Sequence, residues 1–225
     1  YFGPPGTGKT TALLDQVDDL LEKGVQTNQI GYFAFTRKAA NEAKDRAITR
    51  FHLNPETDLV FFRTLHSLAF QVLGLNSAQV LKESHLKEFG QIVGVDFSTM
   101  GTESAEEEGF SIIRSNHPIL RVIDLAATTM KGPEQAYHSS DLGIARHEFL
   151  HLFKEYHAFK QQNHILDFTD MLVNLCDNPA LVPQLKVVFL DEAQDLTPLQ
   201  WKLAHLLSKR CEQMFVAGDD DQGIF

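Results

Sequence analysis

Cysteine is nearly absent from this chain: 225 residues carry two, Cys176 and Cys211. Two thiols do not make a disulfide framework, so a reducing compartment is expected. No apolar run reaches the roughly 20 residues that span a bilayer, and no stretch has the signal-peptide pattern. No internal repeat or low-complexity tract stands out. Basic residues are outnumbered by acidic ones, 20 against 30, for a net charge of −10. That balance argues against a broad basic nucleic-acid surface. The deficit is uneven. Residues 1–70 hold eight basic and eight acidic side chains, and residues 141–225 hold seven and thirteen. The basic groups concentrate in Arg37, Lys38, Lys44, Arg46 and Arg50, where a solvated helix face is the plainest explanation.

What remains is 43% hydrophobic and 22% charged, which suits a globular α/β domain with a small insertion. Its most informative segment is Gly3-Pro4-Pro5-Gly6-Thr7-Gly8-Lys9-Thr10, a match to the phosphate-binding P-loop pattern G-x-x-x-x-G-K-[ST]. The glycines let successive backbone N–H groups turn inward around phosphate oxygens. Lys9 can reach the β/γ-phosphates, and the Thr10 hydroxyl can ligate Mg²⁺. Residues 10–23 follow with Leu13, Val17, Leu20 and Leu21 on one helical face and Gly24 as a stop. The helix N-terminus then points at the anion.

A second site completes the first. The apolar run Leu185-Lys186-Val187-Val188-Phe189-Leu190 is strand-like and ends in Asp191-Glu192. Beside a P-loop this is the Walker B arrangement: Asp191 holds Mg²⁺, and Glu192 orients and deprotonates the attacking water. Alone, such a pair more often caps a helix.

Along the chain, residues 30–35 and 59–62 read as strands, followed by helices over 36–50 and 65–73. Strands alternating with helices predict a parallel sheet with right-handed crossovers. From residue 75 to 162 the pattern turns helical, with helices over 77–93, 118–130 and 144–162. Between the first two lies an acidic stretch, residues 101–109, expected as a mobile loop. The sheet pattern returns near Lys186, and residues 214–217 read as a further strand. The expected division is a P-loop, RecA-like domain over 1–74 and 163–225, with an inserted helical subdomain over 75–162. Only Tyr1 and Phe2 precede the P-loop, where a buried strand is usual, and the chain stops just past a strand. It therefore reads as a fragment of a larger protein.

The remaining motifs resemble the first motor domain of superfamily 1 DNA helicases of the UvrD/Rep/PcrA type. Ala34-Phe35-Thr36-Arg37-Lys38-Ala39-Ala40 resembles motif Ia, and Thr64-Leu65-His66-Ser67 resembles motif Ib. Residues Leu166-Asp167-Phe168-Thr169-Asp170-Met171-Leu172 resemble the L-D-F-x-x-L-L segment. Asp191-Glu192-Ala193-Gln194-Asp195 resembles motif II, and Gly218-Asp219-Asp220-Asp221-Gln222-Gly223-Ile224-Phe225 resembles motif III. Six ordered matches, the P-loop included, run from end to end.

The resemblance implies an ATP- and Mg²⁺-dependent motor moving 3′→5′ on single-stranded DNA, meeting a single-strand/duplex junction. Its setting is then DNA repair or replication, in the cytoplasm or on the nucleoid. It implies that Gln222 contacts the γ-phosphate, that Phe35 and Phe225 stack on bases, and that Thr36, Arg37, Thr64 and His66 touch the DNA backbone. Aromatic platforms with a few backbone contacts suit sequence-independent binding. There are departures: Leu65 replaces an aromatic, Arg37 an Asn, Phe225 a Tyr, and Thr11 stands where many members carry a nucleotide-contacting Arg. A second motor domain, with arginine fingers, is the implied partner, so the isolated chain is expected to turn ATP over poorly.

Other readings compete. The same P-loop spelling is common in AAA+ ATPases, but those place Walker B much nearer than the roughly 180 residues between Lys9 and Asp191. The domain could also bind nucleotide without turnover. His147-Glu148-Phe149-Leu150-His151 matches the zinc-protease pattern H-E-x-x-H, with His157 where a third ligand would stand. In a continuous helix His157 lies about 15 Å along the axis from His147 and roughly 80° around it. No zinc is expected.

Overall fold

A computed structural model describes residues 3, 7–54, 57–97, 102–107 and 110–219. The chain divides into two compact units, Tyr1–Val72 with Leu175–Phe225, and Leu73–Asn174. The first is α/β. Its helices and strands are α1 (Lys9–Glu22), β1 (Ile30–Ala34), α2 (Arg37–Phe51), β2 (Phe62–Thr64), α3 (Leu65–Val72), β5 (Leu185–Asp191), α9 (Pro198–Ser208) and β6 (Cys211–Val216). The strands form a four-stranded sheet in the order β2-β1-β5-β6, and every pairing is parallel. Parallel strands need crossovers, which these helices supply.

The register lines up four aromatic rings, one per strand. Tyr32 sits opposite Phe62 and Phe189, and Phe189 opposite Phe215. Successive ring centroids are 5.5, 6.1 and 5.1 Å apart, all stacked. Leu13, Leu14 and Val17 of α1 and Ala43 and Ala47 of α2 share this core. The small residues on α2 let its backbone approach the sheet closely. Arg50 of α2 ties the two helices together, donating to Asp15 at 3.0 Å and pairing with the buried Asp18 of α1. Thr36 caps α2 by accepting the Ala39 amide at 3.2 Å. No helix among the described residues is long and apolar enough to cross a membrane.

The second unit holds α4 (Glu83–Val93), β3 (Thr102–Glu107), β4 (Phe110–Ser115), α5 (Pro118–Thr128), α6 (Pro133–His138) and α7 (Arg146–Gln162), and it includes the start of α8 (Phe168–Asp177). Its core centres on Phe89, whose ring lies 5.3–5.4 Å from Phe97, Tyr156 and Phe159. Within the acidic stretch expected as a loop, residues 102–107 instead form β3, paired antiparallel with β4. Its high glutamate content hid an extended ladder, because backbone pairing does not require apolar side chains on both faces. Residues 77–82 are not helical beyond a 3₁₀ turn at Ser77–Gln79, since the Leu81 amide donates to the Leu166 carbonyl. Residues 163–174, which the sequence pattern assigns with the sheet, fall in this second unit and contact its α7.

A buried ion cluster makes that contact. Lys160 is 4% exposed. Its Nζ lies 2.5 Å from Asp167 and 2.6 Å from Asp170, and 4.4 Å from the centre of the Tyr156 ring. Tyr156 also donates to Asp167 at 3.1 Å. Burial alone raises Asp167, but the adjacent Lys160 ammonium outweighs it and holds that carboxyl low. Burial and the Asp167 charge push Asp170 up to about 6. Because that folded value is raised, Asp170's stabilising protonation is present at low pH and lost as pH rises through about 6. Lys160→Met leaves the carboxylates facing one another and should cost about 3–5 kcal/mol at pH 7. The loss, read by equilibrium unfolding, should shrink at pH 5, where Asp170 is protonated; an equal loss at both pH values refutes this charge account.

Candidate nucleotide-binding site

The site starts at a turn only glycine makes cheaply. Gly8 is the N-cap of α1 with φ 80°, in the left-handed region. Helix α1 then opens with Lys9 and has no acidic residue in its first turn, leaving its positive end uncompensated. Lys9 Nζ donates to the Gly3 carbonyl. Thr7 and Thr11 are exposed, while Lys9 and Thr10 are half-buried.

The Thr10 hydroxyl donates to Asp191 Oδ2 at 2.9 Å, joining the helix start to the end of β5. The same oxygen accepts from the Tyr32 hydroxyl at 2.6 Å, and Oδ1 accepts from the Glu192 amide at 3.0 Å. Burial first, then the Asp191 charge, push the Tyr32 phenol far above its ordinary range, so it remains a donor. Asp191 itself is 1% exposed. Its neighbour Glu192 has φ 55° and ψ 40°, a left-handed conformation uncommon for a side-chain-bearing residue. Such strain clusters at functional sites.

Gln194 links the strand ends. Its Nε2 donates to Glu192 Oε2 at 2.6 Å, and its Oε1 accepts from the Asp219 amide at 2.9 Å. Gly218 permits this approach, because a Cβ there would stand 3.2 Å from Gln194 Oε1. Lys9, Thr10, Glu192, Gln194 and Asp219 thus line one cavity of about 400 Å³.

Two groups escaped the sequence reading: Tyr32, buried behind the site and bonded to Asp191, and Arg46, which lines the cavity. Tyr32 reads as plain core, since it lies inside an apolar strand. Arg46 reads as a solvated helix residue, yet its guanidinium donates to Thr11 at 3.2 Å and to Glu42 at 2.5 Å and lines the cavity. The i,i+4 spacing foretells the Glu42 pair. Nothing local foretells Thr11, 35 residues away. A groove of about 1040 Å³ between α1 and α2 shares Thr11, Glu42 and Arg46 with the cavity and is floored by Leu14, Ala47 and Phe51.

The other predicted residues fall at the same edge, the carboxyl ends of the strands. Phe35 is half-buried just past β1, Thr36 is exposed, and Arg37 is half-buried at the start of α2. Thr64 and His66 are buried, 3% and 7% exposed. Thr64 accepts from the Ser67 amide at 3.0 Å and so caps α3. Pro4, Pro5, Gly6, Gln222 and Phe225 lie outside the described residues.

The H-E-x-x-H residues lie on one unbroken helix, α7, which runs through Lys154 and His157. Glu148 accepts from the Ala145 amide at 2.8 Å, His151 Nδ1 lies 3.7 Å from Glu155, and His157 Nδ1 lies 2.8 Å from the Phe153 carbonyl. Among the described residues, no group of three or more His, Cys, Asp or Glu side chains could hold a metal ion.

Comparison with known proteins agrees with the motif order. The UvrD/REP helicase N-terminal domain matches residues 2–225. The chain is 26% identical over 246 residues to the ATP-dependent DNA helicase srs2 of Schizosaccharomyces pombe, covering 98% of this chain and 27% of that protein. It is 27% identical over 229 residues to the ATP-dependent DNA helicase Rep of Buchnera aphidicola, covering 98% of this chain and 33% of that one. For Rep of Escherichia coli the figures are 25% over 233 residues, 98% and 33%. The chain spans about a third of the length of these curated relatives.

Gly8→Ala places a Cβ at φ 80° where space is open but the backbone is not. It should cost about 1–2 kcal/mol in chemical denaturation. A neutral effect would show that the turn relaxes to an ordinary conformation.

Proposed function

The chain belongs to the UvrD/REP helicase N-terminal domain family, and from that membership we propose that it is the ATP-binding motor domain of a helicase that moves 3′→5′ on single-stranded DNA. The observation that carries the nucleotide part is the Thr10–Asp191 hydrogen bond of 2.9 Å. It brings a P-loop hydroxyl and a strand-end carboxylate to one point.

Those two oxygens are hard donors of the kind Mg²⁺ takes, so Thr10 and Asp191 fit as the residues that hold it. Held by Thr10 and Asp191 with the nucleotide, Mg²⁺ would supply positive charge against the phosphate oxygens. Lys9 exchanges the Gly3 carbonyl for the β/γ-phosphates. The Gly3 to Gly8 backbone, with Pro4, Pro5, Gly6 and Thr7, wraps the phosphate oxygens, and α1 directs its N-terminus at them. Glu192, held by Gln194, accepts the proton of the attacking water. Gln222 senses the γ-phosphate. Arg46 brings a guanidinium to Thr11, the position where many relatives carry arginine.

On the DNA side, Phe35 and Phe225 supply stacking platforms, and Thr36 and Arg37 meet the backbone. Thr64 and His66, at the end of β2 and the start of α3, meet the DNA backbone beside them. Hydrolysis moves Glu192 and Gln194, and Gln194 is bonded to the Asp219 amide that leads into Gln222 and Phe225. The whole protein works in the cytoplasm, on nucleoid DNA, at single-strand/duplex junctions. A second motor domain completes the ATP site and the DNA groove. Without its arginines the isolated chain turns over slowly, because such fingers are worth about 10³–10⁵ in rate.

Two experiments on the full-length protein test this. Lys9→Ala should weaken ATP binding, whereas Glu192→Gln should bind ATP normally and lose hydrolysis by at least about 10²-fold. Wild-type turnover by Glu192→Gln would mean another base. Strand displacement on tailed duplexes should require a 3′ single-stranded tail; unwinding only from a 5′ tail reverses the polarity.

A further inference from the structure

We propose that Tyr32 is a positioning residue of the nucleotide site: its hydroxyl, reaching out of the sheet core, fixes the Asp191 carboxylate in the orientation that receives the metal–nucleotide complex. The proposal rests on the nucleotide reading above.

Register explains why a tyrosine can do this and a phenylalanine cannot. Tyr32 pairs with Phe189, and Ala34 pairs with Asp191. Asp191 therefore lies two residues beyond Phe189 on the same face, about 7 Å along the strand. A ring at position 32 lies beside Phe189; only a para-hydroxyl extends on to the carboxylate. The distance observed, 2.6 Å from the Tyr32 hydroxyl to Asp191 Oδ2, is that of a strong O–H···O bond to a carboxylate.

The donor is also immobile. Tyr32 is fully buried, and its ring is stacked between Phe62 at 5.5 Å and Phe189 at 6.1 Å. Thr10, the other donor to Oδ2, is half-buried at the cavity wall and is the group expected to turn a lone pair toward Mg²⁺. The Glu192 amide, the donor to Oδ1, belongs to a strained turn at the residue proposed as the general base. Of the three donors, Tyr32 alone is fully buried and held between stacked rings. It touches neither metal nor substrate and acts through Asp191.

Tyr32→Phe keeps the ring and removes the oxygen. In the full-length protein, binding of a fluorescent ATP analogue is measured across a Mg²⁺ titration and in EDTA. The Mg²⁺ concentration for half-maximal binding should rise about three- to tenfold, the scale of one hydrogen bond, while binding in EDTA stays as in wild type. Phe189→Leu disturbs the same ring row without touching the hydroxyl, so it should lower the melting temperature and leave the Mg²⁺ midpoint in place. The proposal is overturned if Tyr32→Phe leaves the midpoint unchanged, if it weakens EDTA binding equally, or if Phe189→Leu shifts the midpoint as far. A wild-type protein whose nucleotide binding ignores Mg²⁺ would instead refute the underlying reading of the site.

Discussion

A single carboxylate oxygen organises the site. Asp191 Oδ2 accepts from Thr10 on α1 and from Tyr32 on β1 while belonging to β5. Three separate segments meet there, and none can shift without breaking one of these hydrogen bonds. A buried acceptor left unmatched costs about 1–3 kcal/mol, so the bonds reinforce the register of β1 on β5. That register in turn stacks the four rings. Packing and polar geometry thus specify the same arrangement, the consistency across levels expected of a well-specified fold.

The acidic strand end extends the constraint outward. Gln194 carries it from Glu192 to the amide of Asp219, with a glycine at position 218 keeping the approach open. The Ala193 amide donates to the Ala217 carbonyl and the Ala217 amide to the Leu190 carbonyl, so β5 and the exit from β6 move as one. A change in the charge at Glu192 therefore has a short, fully bonded route to the segment leading toward Gln222 and Phe225. The hydrogen-bonded part of that route ends at the Asp219 amide, and coupling energy along it is a separate quantity.

Much of this was legible in the sequence, and the reasons are local. The P-loop, the helix behind it and the apolar run ending in Asp191-Glu192 each declare themselves within about ten residues. Their spacing then implies a parallel sheet. The strand after α2 was harder: residues 59–61 are as apolar as a strand, but Leu59 closes a turn onto the Phe62 amide, and β2 begins only at Phe62. Strand β3 was masked by its glutamates, and α8 and α9 sit where turn-forming residues interrupt the helical pattern. Tyr32 and Arg46 were illegible for a different reason. Each is ordinary in its own element, and each acquires meaning only from a residue brought to it by the fold: Asp191 at 159 positions away, and Thr11 at 35.

Two of the carboxylate arrangements in this protein are handled in opposite ways. In the helical unit, Asp167 and Asp170 enclose Lys160, with Tyr156 against both Lys160 and Asp167. The positive charge is built in, and the cluster is complete as it stands. At the end of β5 the groups that hydrogen-bond Asp191 are neutral: two hydroxyls and one amide. They orient the carboxylate without cancelling its charge. Orienting a buried anion with neutral donors leaves its strongest electrostatic interaction for a cation that arrives from outside, and an incoming cation–phosphate complex gains what a resident lysine would already have taken. The first arrangement fastens a fold. The second leaves an oriented, uncancelled anion, the arrangement that the proposed metal–nucleotide site calls for.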